Sequence, residues 1–134
     1  MIRQLSHSLV TYQFESLAIE GLVHAVFTRL GGVSRGDLAA LNVGSTVGDD
    51  RAAVAENYTR VLSHLGLSAD QIVTPSMVHG NRVALVGAGN LAQVIPKADG
   101  LATGTPGVGL FLRFADCQPT TIPGGIIVGQ GRAP

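Results

Sequence analysis

The chain has 134 residues, which is long enough for one compact domain and short for two domains of ordinary size. Nine basic side chains balance nine acidic ones without a run of either sign, which argues against nucleic acid or a membrane surface as a partner. Charged residues make up only 13% of the chain. This share is low for a soluble domain, so we expect a partner or further sequence to cover part of the molecule.

The cysteine content and the N-terminal residues are features from which the cellular compartment of the protein can be predicted. Cys117 is the one cysteine of the chain and has no partner for an internal disulfide. The chain does not open on a basic stretch followed by an apolar one, as a secretory signal would. No apolar run approaches the roughly 18 residues of a spanning helix. The sequence therefore predicts a cytoplasmic protein without a transmembrane segment.

The first half of the chain predicts two strands, a glycine-rich loop and one helix. Alternating apolar and polar residues predict a strand over residues 9–14, and residues 22–28 predict its neighbour. Residues 31–36 hold three glycines, which favour a turn. An aspartate at 49 or 50 can cap the following helix, whose apolar residues recur at helical spacing until Gly66 ends it.

The second half predicts mainly strands. Residues 68–70 predict a short helical turn, after which residues 72–78 and 82–86 predict two strands. Residues 108–114 predict a further strand with both faces against protein, and residues 126–128 predict a short apolar one. Several strands with a single long helix favour an α+β fold with mixed sheets, because a βαβ winding needs a helix after each parallel strand.

Five residues are available for thiol, imidazole or soft-metal chemistry: His7, His24, His64, His79 and Cys117. His7 and His64 are expected at the surface, and His24 in a strand with its hydrogen bonds satisfied. His79 stands between two strands beside Gly80, and Cys117 follows a strand end. This pair fits a thiolate activated by an imidazole, or two of the three ligands of a catalytic zinc. The spacing of His79 and Cys117 in the sequence does not decide between these two chemistries.

The glycine-rich loop offers a second candidate feature. Main-chain N–H groups near glycines can form an anion-binding concavity, as in phosphate-binding loops. Residues 31–36 lack the GxxxxGK[ST] spacing of a nucleotide loop and the βαβ context of a dinucleotide site. A tight turn is therefore the favoured interpretation.

Seven short segments follow one another along the chain: FTRLGGVSRG (27–36), LNVG (41–44), VGDD (47–50), VAEN (54–57), VHG (78–80), ADG (98–100) and RFADCQP (113–119). In this order they resemble the laccase-domain family. Its members were first described as multicopper polyphenol oxidases and are regarded as zinc-dependent purine nucleoside phosphorylases, with adenosine deaminase and methylthioadenosine phosphorylase activities also attributed to them. The resemblance covers residues 23–119. It implies a layered α/β/β/α fold with mixed sheets in one cytoplasmic domain, here residues 1–134 and incomplete on the C-terminal side.

The resemblance also assigns site residues. It makes His79 and Cys117 two of three zinc ligands, with copper as the alternative metal, and places Arg29 and Asn42 in the same pocket as an anion clamp and an orienting donor. The family's third ligand is a histidine in a His-Ala-Gly-Trp-Arg-Gly segment, where this chain has Arg132. A guanidinium has no lone pair to give a metal. Met77 and residues 123–125 also depart from the family pattern.

The function implied by the resemblance is phosphorolysis of adenosine, inosine, guanosine or methylthioadenosine, with purine nucleoside and phosphate as partners. Because the third ligand is missing, we expect this chain to bind zinc weakly and to be impaired. The uncovered strand over residues 126–128 is expected to favour self-association. Two alternatives remain: a catalytically incompetent module that binds purines or a partner, and a metal-free Cys-His hydrolase.

Overall fold

The computed structural model describes residues 1–115, 118–122 and 126–130, the last two ranges as backbone strands only. The chain divides into two compact units, Met1–Gly66 and Leu67–Pro134. The predicted α+β class with mixed sheets is confirmed, because one long helix accompanies several sheets. Among the described residues, no helix has the length and apolar character that crossing a bilayer requires. That residues 1–134 form a single domain stays a prediction.

The first unit contains an antiparallel sheet in which β1 (Ile2–Ser6), β2 (Leu9–Gln13) and β3 (Val26–Phe27) lie in that order. The strand predicted at residues 9–14 is confirmed up to Gln13. It ends there because the main-chain N–H of Phe14 donates to Nε2 of His24 at 2.9 Å instead of to a neighbouring strand. The strand predicted at residues 22–28 is wrong except for β3. The ring of His24 is half-buried and stacks on Phe14, as expected for a structural histidine.

The predicted helix is confirmed as α1 (Arg51–Leu65). The Asp50 carboxylate accepts a hydrogen bond from the N–H of Ala52 at 3.0 Å, and Gly66 ends the helix in the left-handed conformation at φ 68°. The prediction that His64 lies at the surface is wrong. Its ring is half-buried and packs edge-on against Phe27, with ring centres 5.4 Å apart.

The second unit contains two sheets. Its strands in chain order are β4 (Ile72–Ser76), β5 (Val83–Leu85), β6 (Val94–Pro96), β7 (Gly100–Ala102), β8 (Gly109–Leu110), β9 (Gln118–Ile122) and β10 (Ile126–Gln130). One sheet has the order β6-β4-β8 with parallel pairing throughout. The other has the order β5-β7-β10-β9, in which β5 and β7 are parallel and the remaining pairs antiparallel. The strand predicted at residues 126–128 is confirmed and extends to Gln130.

The strand predicted at residues 108–114 is wrong beyond β8. The N–H of Phe111 still donates to the Val73 carbonyl at 3.0 Å, but the side chains no longer alternate between two covered faces. Phe114 is 40% exposed, although the period of two places it on the same face as Leu110 and Leu112. A buried cluster lies beside β8 and consists of Val73, Ala84, Val86, Ile95, Ala98 and Leu101. Leu110 and Leu112 pack against this cluster, which accounts for the apolar pattern.

Candidate functional site

His79 lies in the connection between β4 and β5. Because β4 pairs with β6 and β5 pairs with β7, this connection and residues 97–99 pass together from the three-stranded sheet to the four-stranded one. His79 is exposed and has φ 59°, a left-handed conformation that residues with a Cβ seldom adopt. The sequence-based prediction that His79 stands between two strands is therefore confirmed, and its turn has a special backbone.

Asp99 holds this turn at both ends. Its Oδ1 accepts hydrogen bonds from the main-chain N–H of Val78 at 2.9 Å and of His79 at 2.7 Å. The main-chain N–H groups of Asp99 and Gly100 donate to the carbonyl of Arg82 at 2.9 and 3.2 Å. Asp99, in the connection between β6 and β7, thus fixes both the start and the end of the connection between β4 and β5.

The second carboxylate oxygen of Asp99 is also buried. Asp99 is 5% exposed, and its Oδ2 has no hydrogen-bond partner among the described residues. A Cβ on Gly80 would lie 3.2 Å from this oxygen, so the glycine permits the close approach of the carboxylate. Asp99 belongs to the ADG segment at residues 98–100, and its contacts with the His79 turn were not predicted from the sequence.

Cys117 and Arg132 lie outside the described residues, so the convergence of His79 and Cys117 stays a prediction. Within the described part of the chain, no group of three or more His, Cys, Asp or Glu side chains is arranged to hold a metal ion. A catalytic zinc takes three protein ligands. His79 supplies an exposed imidazole of a suitable type, but the described residues alone do not make a zinc site.

Arg29 and Asn42 lie in the first unit. The carbonyl of Arg29 accepts hydrogen bonds from the N–H groups of Ala40 and Leu41 at 3.1 and 2.8 Å, so its main chain is fixed while its side chain is exposed. Asn42 is half-buried, and its Nδ2 donates to Asp49 Oδ2 at 2.8 Å. Because His79 belongs to the second unit, a pocket shared by Arg29, Asn42 and His79 stays a prediction.

Asn57 organises the glycine-rich loop. It is fully buried on α1, and its Oδ1 accepts a hydrogen bond from the N–H of Val33 at 2.8 Å. Its Nδ2 lies within hydrogen-bond distance of three acceptors, which are Ser34 Oγ, the Ala40 carbonyl and the Asn42 carbonyl. This role of Asn57 was not predicted from the sequence. The available signal was a polar residue among the apolar positions of the helix.

Two main-chain donors of the loop over residues 31–36 bond to protein groups that lie outside the loop. The N–H of Val33 is bound to Asn57, and the N–H of Ser34 donates to the Ala40 carbonyl at 2.9 Å. These two N–H groups are therefore not available to an anion. The favoured interpretation as a tight turn is wrong for residues 32–35, which form an irregular segment before a short 3-10 helix that begins at Gly36. An open cleft of about 470 Å³ borders this loop, and its lining consists of Val33, Ser34, Arg35, Asp49, Asp50, Ala52 and Ala53.

Hydrogen bonds from the Asn42 amide and the Ser34 hydroxyl lower the pKa of Asp49 below its ordinary value of 3.8. An ionised carboxylate with a lowered folded-state pKa stabilises the fold above the unfolded pKa, and this contribution is lost as pH falls through the folded value. We therefore expect the urea midpoint of the chain to fall as pH drops below about 3.8, and to fall less in Asp49→Asn. Thr59→Ala, which changes no titratable group, should keep the parent's pH dependence. Equal pH dependence in parent and Asp49→Asn would contradict the assignment.

Comparison with known proteins identifies the family. The model of the family described as multi-copper polyphenol oxidoreductase laccase matches residues 23–124. The chain belongs to this family. It is 38% identical over 125 residues to purine nucleoside phosphorylase ORF3 of Streptomyces griseus, a match that covers 90% of this chain and 51% of the relative. It is 38% identical over 122 residues to purine nucleoside phosphorylase YlmD of Geobacillus stearothermophilus, covering 84% of this chain and 44% of YlmD.

Two solved structures share the fold. The crystal structure of YlmD from Geobacillus stearothermophilus superposes with a TM-score of 0.79 at 34% identity, over 96% of this chain and 51% of that one. The crystal structure of the Bacillus licheniformis hypothetical protein YfiH gives a TM-score of 0.80 at 25% identity, over 96% of this chain and 52% of that one. The chain thus spans about half the length of the relatives it matches.

Proposed function

We propose that this chain carries part of the site of a purine nucleoside phosphorylase. In this reaction phosphate attacks C1′ of the nucleoside and the purine base leaves. The observation that carries the proposal is the similarity, at 38% identity over most of the chain, to relatives named purine nucleoside phosphorylase. The substrates would be phosphate and a purine nucleoside, namely adenosine, inosine, guanosine or methylthioadenosine.

His79 and Cys117 are the proposed metal ligands of the chain. Imidazole nitrogen and thiolate sulfur are the donors that zinc prefers, and thiolate also suits copper in its reduced state. For His79 the proposal is supported by an exposed side chain on a turn whose main chain is fixed by Asp99. A third ligand is still required, so the affinity of this chain for Zn²⁺ is expected to be weak.

Arg29 and Asn42 are the proposed substrate-binding residues. A guanidinium is permanently charged and matches two phosphate oxygens at once, which suits Arg29 to an anion. Its exposed side chain on a fixed main chain is consistent with this role. Asn42 would orient the nucleoside through its amide by exchanging the long 3.4 Å contact with the Gly44 carbonyl, while its second N–H stays bound to Asp49.

The test compares the parent chain with His79→Ala and with His7→Ala, which changes another exposed histidine on a turn. Zn²⁺ affinity is measured by competition with a chromophoric chelator, and phosphorolysis by hypoxanthine released from inosine with and without phosphate. We expect His79→Ala to lower Zn²⁺ affinity at least tenfold, because one of few ligands is lost, and to lower phosphate-dependent release in proportion. His7→Ala should match the parent.

Two results would contradict the proposal. Equal Zn²⁺ affinity in the parent and His79→Ala would remove His79 from the ligand set. Saturable nucleoside binding without any phosphate-dependent release of hypoxanthine would favour the non-catalytic purine-binding module instead.

A further inference from the structure

Asp99 is the buried charged side chain among the described residues of the second unit. Burial of a carboxylate is unfavourable unless hydrogen bonds compensate for the lost water. Here both amide donors go to Oδ1, while Oδ2 has no partner among the described residues. The two amide donors are the compensation that the structure provides, so the burial of Asp99 is coupled to the conformation of the turn that supplies them.

The hydrogen bonds show what this carboxylate controls. The N–H groups of two successive residues, Val78 and His79, point at the same oxygen, which restricts the main-chain angles between them. These angles are φ and ψ of Val78, and they fix the peptide plane from which the N–Cα bond of His79 starts. The carbonyl of Arg82 is the second fixed point of the turn. Between these two points His79 has the left-handed conformation, φ 59°, which is otherwise unfavourable for a residue with a Cβ and which sets the direction of its Cα–Cβ bond.

The far end of the turn depends on the same residue. The carbonyl of Arg82 accepts the N–H groups of Asp99 and Gly100, and the guanidinium of Arg82 donates to the Pro96 carbonyl at 2.6 Å. The segment from Val78 to Arg82 is therefore fastened to residues 96–100 at both ends. The side chain of Asp99 provides the end beside His79.

We infer that Asp99 is the positioning residue of His79: by holding the main chain of residues 78 and 79, its carboxylate sets the direction in which the His79 imidazole meets a metal ion. The step from main chain to metal rests on the proposed function, whereas the conformation of the turn is measured without metal. Supporting groups of this kind typically change metal affinity by about 10- to 100-fold when removed.

The first experiment uses the chain without metal and follows it by NMR. In Asp99→Ala, the amides of Val78 and His79 should exchange with solvent at least tenfold faster than in the parent. The ¹³Cα shift of His79 should move to that of a flexible histidine. The amide of Val73, in the buried strand β4, should be unchanged and shows that the fold persists. Asp99→Asn retains an Oδ1 acceptor and should restore the parent's values, whereas unchanged His79 signals in a folded Asp99→Ala would overturn the inference.

The second experiment measures Zn²⁺ affinity of the same variants by chelator competition. We expect Asp99→Ala to bind Zn²⁺ at least tenfold more weakly than the parent, with Asp99→Asn close to the parent. Asp37→Ala, at an exposed carboxyl, serves as the matched control and should have no effect. Equal affinity in the parent and Asp99→Ala, despite a released turn, would overturn the metal-positioning step.

A failure of the proposed metal site and a failure of the role inferred for Asp99 give different experimental results. If neither the parent nor Asp37→Ala binds Zn²⁺, the metal part of the proposed function fails, and the NMR experiment still decides whether Asp99 fixes the His79 turn. If Asp99→Ala does not fold, Gly80→Ala replaces it, because the added Cβ would lie 3.2 Å from Oδ2 and the carboxylate must shift by a few tenths of an ångström, which lengthens its hydrogen bonds to the turn. Faster exchange of the Val78 amide in Gly80→Ala supports the inference, and unchanged exchange overturns it.

Discussion

Gly32→Ala is expected to lower the unfolding free energy of the chain by about 3 kcal/mol or more. A Cβ at position 32 would lie 2.2 Å from the carbonyl oxygen of Ala40 and 2.5 Å from the Cα of Leu41. Both are main-chain atoms in fixed positions. The N–H groups of Ala40 and Leu41 donate to the Arg29 carbonyl, and the Ala40 oxygen accepts from Ser34. The chain can accommodate the methyl group only by breaking several of these hydrogen bonds.

Urea denaturation of the parent and two variants measures this loss. Gly36→Ala is the control in the same loop, because Gly36 has φ 64° and nothing within 4 Å of an added Cβ. Its expected loss is about 1 kcal/mol, from the left-handed conformation alone. Equal losses in the two variants would show that close packing at Gly32 is unimportant and that the loop can shift.

Elements governed by neighbouring residues could be predicted from the sequence. The helix and both of its caps depend on Asp50, Gly66 and the apolar repeat between them, all within one stretch of chain. The same holds for the turn at Ala69–Gln71, where Ser68 and Gln71 form a capping box. In these segments local preference and tertiary structure agree, so the pattern was sufficient.

The predicted strand lengths were wrong where a residue distant in sequence determines where the strand ends. The second strand ends at Gln13 because the ring of His24, eleven residues away, takes the next N–H. Residues 108–114 alternate like a strand, but Leu112 is apolar because it packs on the core cluster, not because it continues the sheet. Hydrophobic spacing records burial and does not record which backbone group bonds to which.

In the candidate site, too, local features could be predicted from the sequence, whereas contacts between distant residues could not. His79 was a candidate because an imidazole can bind a metal or transfer a proton and because Gly80 lies beside it. The match to the family model supports the resemblance on which the proposed role of His79 rests. Asp99 could not be predicted as a partner of His79, because the nineteen residues between them include two further strands, β5 and β6. Only the parallel pairing of β4 with β6 and of β5 with β7 brings the two connections together.

Asn57→Ala is the second large effect, with an expected loss of about 3 kcal/mol or more in the unfolding free energy. Asn57 is fully buried, and its amide meets Val33, Ser34, Ala40 and Asn42. Alanine would leave the N–H of Val33 and the carbonyl of Asn42 without this partner in the buried interior, where an unpaired polar group is costly.

The matched control for Asn57→Ala is Thr59→Ala on the exposed face of α1. The Thr59 hydroxyl bonds only the Ala55 carbonyl of its own helix, so its removal should change the unfolding free energy by less than about 0.5 kcal/mol. Asn57→Asp separates the two halves of the amide, since it retains an acceptor for Val33 and loses the donors to Ala40 and Asn42. Because a carboxylate in place of Nδ2 would face carbonyl oxygens, Asn57→Asp should be at least as destabilised as Asn57→Ala. Urea midpoints of Asn57→Asp near the parent's would show that the Val33 bond alone holds the loop, and that the donors to the two carbonyls contribute little.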